Sequence, residues 1–391
     1  MNISDRIKEK FNQSDWNQYK FSDFAENIVE KVVPRESGLE HYIGLEHLDS
    51  RSLIINRFGD PQSLKGDKLK IYKGDVIFAK RNAYLKRASL AEFDAIASAH
   101  SMVLRAKPEI ILNDFLPFFM QSDAFWDIAI KISVGGLSPT INWRNLAKQE
   151  FLLPPIDQQA HIAELLWAMD EDLQSKKETL NRFDIFKRTY LNSLFLGAEY
   201  YSEEKNRIAL NEYCDKITYG FTNPMPTTEE GILMVTATNV RNGKIDVDNT
   251  RRTSADAYNK LITNKSRPIE GDILLTKDGR LAELAIVGKE KICVNQSVAV
   301  LRPNETVLSE YLYYLLQIPY YHNLMLGQAG GTTIKHIYIT KLAKMKVPVP
   351  SIEKQQELVD KASLIFQKED MIESSITASK SLQKSLINQV F

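Results

Sequence analysis

The chain says almost everything twice, and no other feature constrains its fold as much. The stretch GGLSPTINWRNLAKQEFLLPPIDQQ, beginning at Gly135, returns as GGTTIKHIYITKLAKMKVPVPSIEKQQ, beginning at Gly330. Leu146-Ala147-Lys148 falls on Leu342-Ala343-Lys344, Pro154 on Pro350, Ile156 on Ile352, Asp157 on Glu353 and Gln159 on Gln355, an offset of about 196 residues. Downstream, Asn192 meets Asn388 and Phe195 meets Phe391. Upstream, Lys73-Gly74-Asp75-Val76 echoes Glu270-Gly271-Asp272-Ile273, and Leu104-Arg105 echoes Leu301-Arg302, at an offset of about 197. Tyr42–Leu48 against Met234–Val240 extends the series with a drift to about 192. Collinear matches at nearly one offset mean a tandem duplication. The period far exceeds the roughly 20–50 residues of solenoid repeats, so each copy is a globular module with an appendage. Two such copies are expected to dock about a pseudo-twofold axis.

Within one copy the first part reads as α+β. Short apolar runs at Asp75–Ala79 and Ser101–Arg105, and again at Asp272–Thr276 and Ser297–Leu301, predict strands of a curved, largely antiparallel sheet. Gly-Asp pairs punctuate them. Asn113–Asp127 predicts a helix, capped by Asn113 or Asp114, and Leu308–Leu316 its counterpart.

Each copy then changes character. Residues 157–195 contain neither Pro nor Gly, and Ile162, Leu165, Leu166, Met169, Leu173, Leu180, Phe183, Tyr190 and Leu194 recur mostly in steps of three and four. Leu358, Ala362, Ile365, Ile372, Ile376, Ser379, Leu386 and Val390 do the same in 353–391. Both predict helices of about 39 residues, about 58 Å long, with Asp157 as cap or first-turn acid and Gly197 as the stop. A narrow stripe of this length calls for a partner helix, and the other copy supplies one, as an antiparallel coiled coil. The competing expectation is that each helix packs on its own module as an ordinary core helix, which would show a wider apolar face.

Catalytic signatures are missing. The chain has no GxxxxGK[ST] loop, no GxGxxG fingerprint and no GxSxG elbow, and its six histidines show no HxxxH or HExxH spacing. Asp170-Glu171-Asp172 reads as a solvated helix face. Cys214 and Cys293 read as buried small apolar residues in a reducing compartment. No apolar run reaches 18 residues, and the polar N-terminus does not resemble a secretory leader. The expected class is a non-catalytic binding protein of the cytoplasm that holds no cofactor or metal.

The sequence carries 50 basic and 50 acidic side chains, yet the charge is unevenly placed. Basic minus acidic residues give roughly +6 over Arg57–Lys107 and roughly +4 over Arg241–Arg302, against roughly −2 and −1 for the two long helices. Paired basic faces suit two separated DNA half-sites. The candidate contact residues are Lys80, Arg81, Asn82, Tyr84, Lys86 and Arg87 after one strand, and Lys277 and Arg280 after its counterpart. Arg241, Arg251 and Arg252 add charge. The loops after Gly135-Gly136 and Gly330-Gly331 contribute Ser138, Thr140, Asn142, Arg144, Thr332, Thr333, Lys335 and His336. Arg and Asn can read base edges, whereas Lys, Ser and Thr mostly hold phosphates.

Two modules alternating with two long helices, each helix following a Gly-Gly loop and a strand ending in Pro-[Pro/Ser]-Ile-[Asp/Glu]-x-Gln, resemble the DNA-specificity subunit of type I restriction–modification enzymes over essentially the whole chain. The resemblance implies target recognition domains at 19–153 and 199–349 and spacer helices at 154–198 and 350–391, with an N-terminal segment at 1–18. The helical spacing of Ile3, Ile7 and Phe11 in that segment predicts packing against the distal end of the helix pair. It also implies double-stranded DNA and two methyltransferase (modification) subunits as partners, with restriction subunits joining the assembled complex. S-adenosylmethionine, ATP and Mg2+ are then expected on those partners, and the setting is a bacterial or archaeal cytoplasm with no membrane. The specificity partner of a fused type II restriction–methylation enzyme fits the same residues, and neighbouring genes would separate the two. A coiled-coil adaptor that binds no DNA is the alternative from another class.

Overall fold

The computed structural model describes residues 13–197, 207–330 and 335–391. The expected packing of Ile3, Ile7 and Phe11 lies outside the described residues, as do Gly331, Thr332 and Thr333. The chain divides into two units, one made of residues up to Glu178 with Ser374–Phe391, the other of Thr179–Glu373.

In the first unit an antiparallel sheet runs in the order Ala25–Ile28, Ser101–Ala106, Val76–Ala79, Ala88–Leu90. A second sheet runs Lys31–Val32, Lys68–Ile71, Ala95–Ala97, Tyr42–Ile43, and only its last pair is parallel. The run Val76–Ala79 is apolar at every position because both of its faces are buried. Val76 and Phe78 face the main core, while Ile77 and Ala79 face a smaller one. That is the period-2 alternation of a strand between two cores. The second unit repeats this: Ile273 and Leu275 face one core, Leu274 another. Its four-stranded sheet runs Cys214–Tyr219, Val298–Pro303, Ile273–Thr276, Leu284–Ile286, and its three-stranded sheet again carries one parallel pair, Ile232–Val235 with Ile292–Val294. Both units are therefore α+β with largely antiparallel pairing, as the sequence predicts. Cys214 and Cys293 are buried, and burial pushes both thiols up to about 12.

Three of the echoes in the sequence correspond to bonds made twice. Asp75, 1% exposed, accepts Arg105 Nε and Nη2 at 2.7 and 2.9 Å, and Asp272 accepts the same atoms of Arg302 at 2.8 Å each. The preceding Gly74 and Gly271 have φ of +95° and +86°, a backbone only glycine adopts without strain. Gln159 and Gln355 are fully buried. Gln159 Oε1 accepts the Leu112 N–H at 2.9 Å while Nε2 donates to the Ile110 and Pro154 carbonyls at 2.8 and 2.9 Å. Gln355 does the same with the Leu308 N–H and the Thr306 and Pro350 carbonyls. Asn388 Oδ1 accepts the Asp123 N–H at 2.8 Å, and Asn192 Oδ1 accepts the Tyr320 N–H at 3.4 Å, each at the start of a module helix.

The long helices span Ile156–Leu196 and Ile352–Val390, with Asp157 in the first turn and the first helix ending before Gly197. In the first unit the start of one helix packs with the end of the other, and in the second unit the converse holds, so they pair antiparallel. The narrow stripe is only part of the picture. At the helix roots and tips the buried face widens to Ile162, Ala163 and Leu166 with Leu386, Ile387 and Val390, and to Leu358, Val359 and Ala362 with Leu191 and Phe195. Both sets sit in their unit's own core, so pairing and core packing occur on the same helices. Leu165 is 43% exposed, off the stripe.

Two expectations are corrected. Asn113–Asp127 is not one helix: it breaks into Leu116–Phe119 and Asp123–Lys131, because Ser122 Oγ caps the second by accepting the Phe125 N–H at 3.1 Å, and neither Asn113 nor Asp114 caps either. Asp170 is not solvated. It is 5% exposed and accepts hydrogen bonds from Gln174 and Gln383 at 3.3 Å each, the latter across the helix pair. Among the described residues no helix is long and apolar enough to cross a membrane.

These bonds carry measurable stability. Replacing Gln159 with Leu leaves one buried N–H and two carbonyls unpaired, an expected loss of about 3 kcal/mol in urea unfolding. Asp75→Ala should cost about 2 kcal/mol, below the usual ~3–5 kcal/mol for breaking a buried pair, because water reaches the Arg105 guanidinium and screens it. Wild-type unfolding midpoints in either variant would contradict the assignment.

Candidate nucleic-acid interface

In the first unit the chain leaves strand Val76–Ala79 through Lys80-Arg81-Asn82 and meets the Gly-Gly loop. That loop closes on itself through reciprocal bonds between Val134 and Thr140, 2.9 Å each, with Gly135 at φ +114°. It is fastened to the strand end by the Ile141 N–H on the Lys80 carbonyl (2.8 Å) and the Asn82 N–H on the Pro139 carbonyl (2.9 Å). Ser138 Oγ donates to Asn82 Oδ1 at 3.0 Å, with Asn82 held in the left-handed region at φ +54°. The structure thus brings Lys80, Arg81, Asn82, Ser138 and Thr140 into one cluster. Asn142 and Arg144 are exposed at the short helix Trp143–Leu146 that follows, and Tyr84 is 58% exposed. Desolvation together with Arg81 lowers the Lys80 ammonium, and desolvation together with Arg81, Lys80 and Lys68 lowers the His100 imidazole. Among the described residues the cluster is a patch of positive charge, which Lys68 extends beyond the residues read from the sequence and which holds the His100 imidazole toward its neutral form.

Lys86 and Arg87 are used differently. Lys86 Nζ lies 3.2 Å from Asp123, which Arg51 also binds, and the Asp123 carboxyl is held down at about 2, chiefly by Arg51. Arg87 is half-buried and donates to the Leu45 carbonyl at 2.6 Å. Both brace the loop from within.

The second unit keeps the bond to the strand end and changes the chemistry. The Ile337 N–H meets the Lys277 carbonyl at 2.9 Å, and Gly330 and His336 exchange bonds at 3.0 and 2.8 Å. Here the basic groups carry a carboxylate. Asp278 binds His336 Nδ1 and lies 2.8 Å from Lys277 Nζ; burial opposes its ionisation, and these two bonds outweigh that and lower its pKa. Arg280 and Lys335 are exposed, and Lys265 sits 3.7 Å over the Tyr219 ring. Arg241 is exposed beside its bond to the Thr238 carbonyl, whereas Arg252 is half-buried on the Gly231 carbonyl.

Arg251 borders a cleft of about 410 Å³ lined largely by neutral amides and hydroxyls, among them Thr222, Asn223, Asn249 and Gln296, and by no carboxylate. Sequence reading missed these side chains, since they come from four separated segments and no spacing joins them. Amides and one arginine in a cleft suit hydrogen bonding to base edges, and the exposed cations beside the Gly-Gly loops suit phosphates. Among the described residues no group of three or more His, Cys, Asp or Glu side chains is placed to hold a metal ion.

The family model for the type I restriction modification DNA specificity domain matches residues 13–182 and again 200–377. The chain is 23% identical over 272 residues to the type I restriction enzyme EcoBI specificity subunit of Escherichia coli, covering 61% of this chain and only 57% of that one. It is 30% identical over 115 residues to the MjaIX specificity subunit of Methanocaldococcus jannaschii, 29% of this chain and 26% of that one. A solved chain from work on assembly and conformational transition of the type I R-M system superposes with a TM-score of 0.61 at 20% identity, covering 96% of this chain and 97% of its own. The type I S subunit from M. genitalium gives 0.56 at 15% identity and 97% coverage of both chains. These two likenesses establish the fold.

The Asp123 bracket predicts a pH dependence. Its carboxyl is depressed from an ordinary value near 3.8 to about 2, so it stabilises the fold fully above pH ~4 and less as pH falls through about 2. Asp123→Asn should therefore be less stable than wild type at pH 7, with the difference shrinking between pH 4 and 2 in thermal melts. A pH-independent difference would contradict this.

Proposed function

Since the chain belongs to the DNA specificity family of type I restriction–modification systems, we propose that it reads a bipartite, asymmetric DNA target, each recognition domain (19–153 and 199–349) taking one half. One observation carries this reading. Both units fasten a Gly-Gly loop to the end of their central strand by the same main-chain bond, Ile141 to Lys80 and Ile337 to Lys277, and then present unlike side chains from it. A common frame with different donors is what two different half-sites require.

In this reading Lys80, Arg81 and the Ser138–Thr140 loop hold phosphates and bases of one half-site. Arg280, Lys335 and the Arg251 cleft serve the other, joined by Thr332 and Thr333. The long helices (154–198 and 350–391) set the gap between half-sites, and their outward faces dock two modification subunits, through which restriction subunits join. S-adenosylmethionine, ATP and Mg2+ belong to those partners, and this chain contributes recognition without catalysis in the cytoplasm of a bacterium or archaeon. Basic faces of roughly +6 and +4 beside slightly acidic helices support that division.

Footprinting of the chain with its methyltransferase subunits tests the reading. Two specific protected segments, one of which changes sequence when 19–153 is exchanged, are expected; sequence-blind protection defeats it. Arg81→Ala should weaken binding by about 1–3 kcal/mol, and a loss confined to one half-site would mark base contact rather than phosphate contact. Deleting seven residues from both helices should shorten the required gap and leave both half-sites unaltered.

A further inference from the structure

A second cleft, of about 380 Å³, lies in the first unit between the Asp49–Leu53 segment and the helix pair. Four of its lining residues are cationic (Arg51, Lys177, Lys380 and Lys384) and two are anionic, Asp49 and Asp170. Arg51 is committed to Asp123, and Asp170 is bonded to Gln174 and Gln383. Asp49 is paired with Arg57, so three lysines face the single remaining carboxylate of Asp170. Lys177 is half-buried, and desolvation followed by the neighbouring Lys380 lowers its ammonium against the opposing pull of Asp170 and Asp49, so the cleft stays cationic in excess.

The duplication shows that this arrangement is not a requirement of the fold. At the offset of about 196, Lys177 corresponds to Glu373 and Lys380 to Asp184. In the second unit Asp184 instead pairs with Arg188 at 3.0 Å, and Asp370, the counterpart of Gln174, pairs with Lys244 at 2.8 Å. One copy is neutralised internally, and the other is basic and open. A surface for two identical partner subunits would carry the same sign in both copies, so this cleft serves a ligand met by one copy only.

We propose that the Lys177–Lys380–Lys384 cleft binds a phosphate group. Several ammonium groups around an open recess with room for a phosphate and its hydration match it in charge, and lysine holds it as a point charge. The source is either a backbone phosphate of bound DNA or a free phosphate. The duplex arm of the test rests on the function proposed above, and the phosphate arm stands without it.

Lys380→Gln with Lys384→Gln alters two exposed positions, and thermal melting without phosphate should confirm an intact fold. Inorganic phosphate titrated into the full chain should raise the wild-type melting temperature and leave the double variant unmoved. In the complex with methyltransferase subunits, a backbone source predicts that the slope of log K against log salt falls by about one unit, equally for specific and unrelated duplexes. Lys361→Gln, which removes a charge paired with Glu357 elsewhere, should leave that slope unchanged. A phosphate response with an unchanged slope assigns the cleft to free phosphate. Equal responses of wild type and double variant in both arms overturn the proposal. Failure of the wild-type complex to bind any duplex sinks the DNA reading, while the titration still decides the cleft.

Discussion

A buried glutamine at the root of each long helix is the bond on which the rest depends. Its amide has one acceptor and two donor hydrogens, and Gln159 and Gln355 each satisfy all three with backbone groups of their own module. An amide buried without those partners would cost several kcal/mol, so the helix can leave the module in only one way. From that fixed exit, Ile162 and Leu166, or Leu358 and Ala362, fall into the core. The tip of the other helix then completes the same core and caps a module helix with Asn388 or Asn192. The Asp75–Arg105 and Asp272–Arg302 pairs hold the central strands in register with this frame.

Much of this was legible because duplication doubles the signal. A Gly-Asp pair or a lone Gln says little once, but the same residue at the same offset marks a bond the fold needs twice. The strands and helices followed from period 2 and from the absence of Pro and Gly. What escaped was set by tertiary partners. Asp170 reads as solvated until Gln383 is seen beside it, 213 residues away in sequence. Ser122 breaks the expected helix at 113–127 with a cap that competes with an apolar periodicity running straight through it. Lys86 and Arg87 look like further phosphate contacts, and only Asp123 and the Leu45 carbonyl show them bracing the loop. The neutral cleft around Arg251 was invisible because amides and hydroxyls leave no periodic trace.

The two interfaces differ in how they manage charge. Among the described residues Lys80 and Arg81 carry no carboxylate partner, and desolvation, followed by the neighbouring cations, lowers Lys80 and His100. In the second unit Asp278 pairs with Lys277 and is hydrogen-bonded to His336, and recognition shifts toward uncharged donors and acceptors. Unpaired cations favour affinity and fast encounter, whereas amides in a cleft favour discrimination.

The antiparallel helix pair also sets an order of assembly. The second unit is one continuous segment, Thr179–Glu373, while the first is closed by Ser374–Phe391. During synthesis the inner unit is complete before the outer one, whose core waits for Leu386, Ile387 and Val390. Until then a partly built N-terminal module exposes apolar surface that only the final stretch of helix covers. Folding of the two units therefore proceeds from the inner one outward, and residues 374–391 seal the domain begun before it.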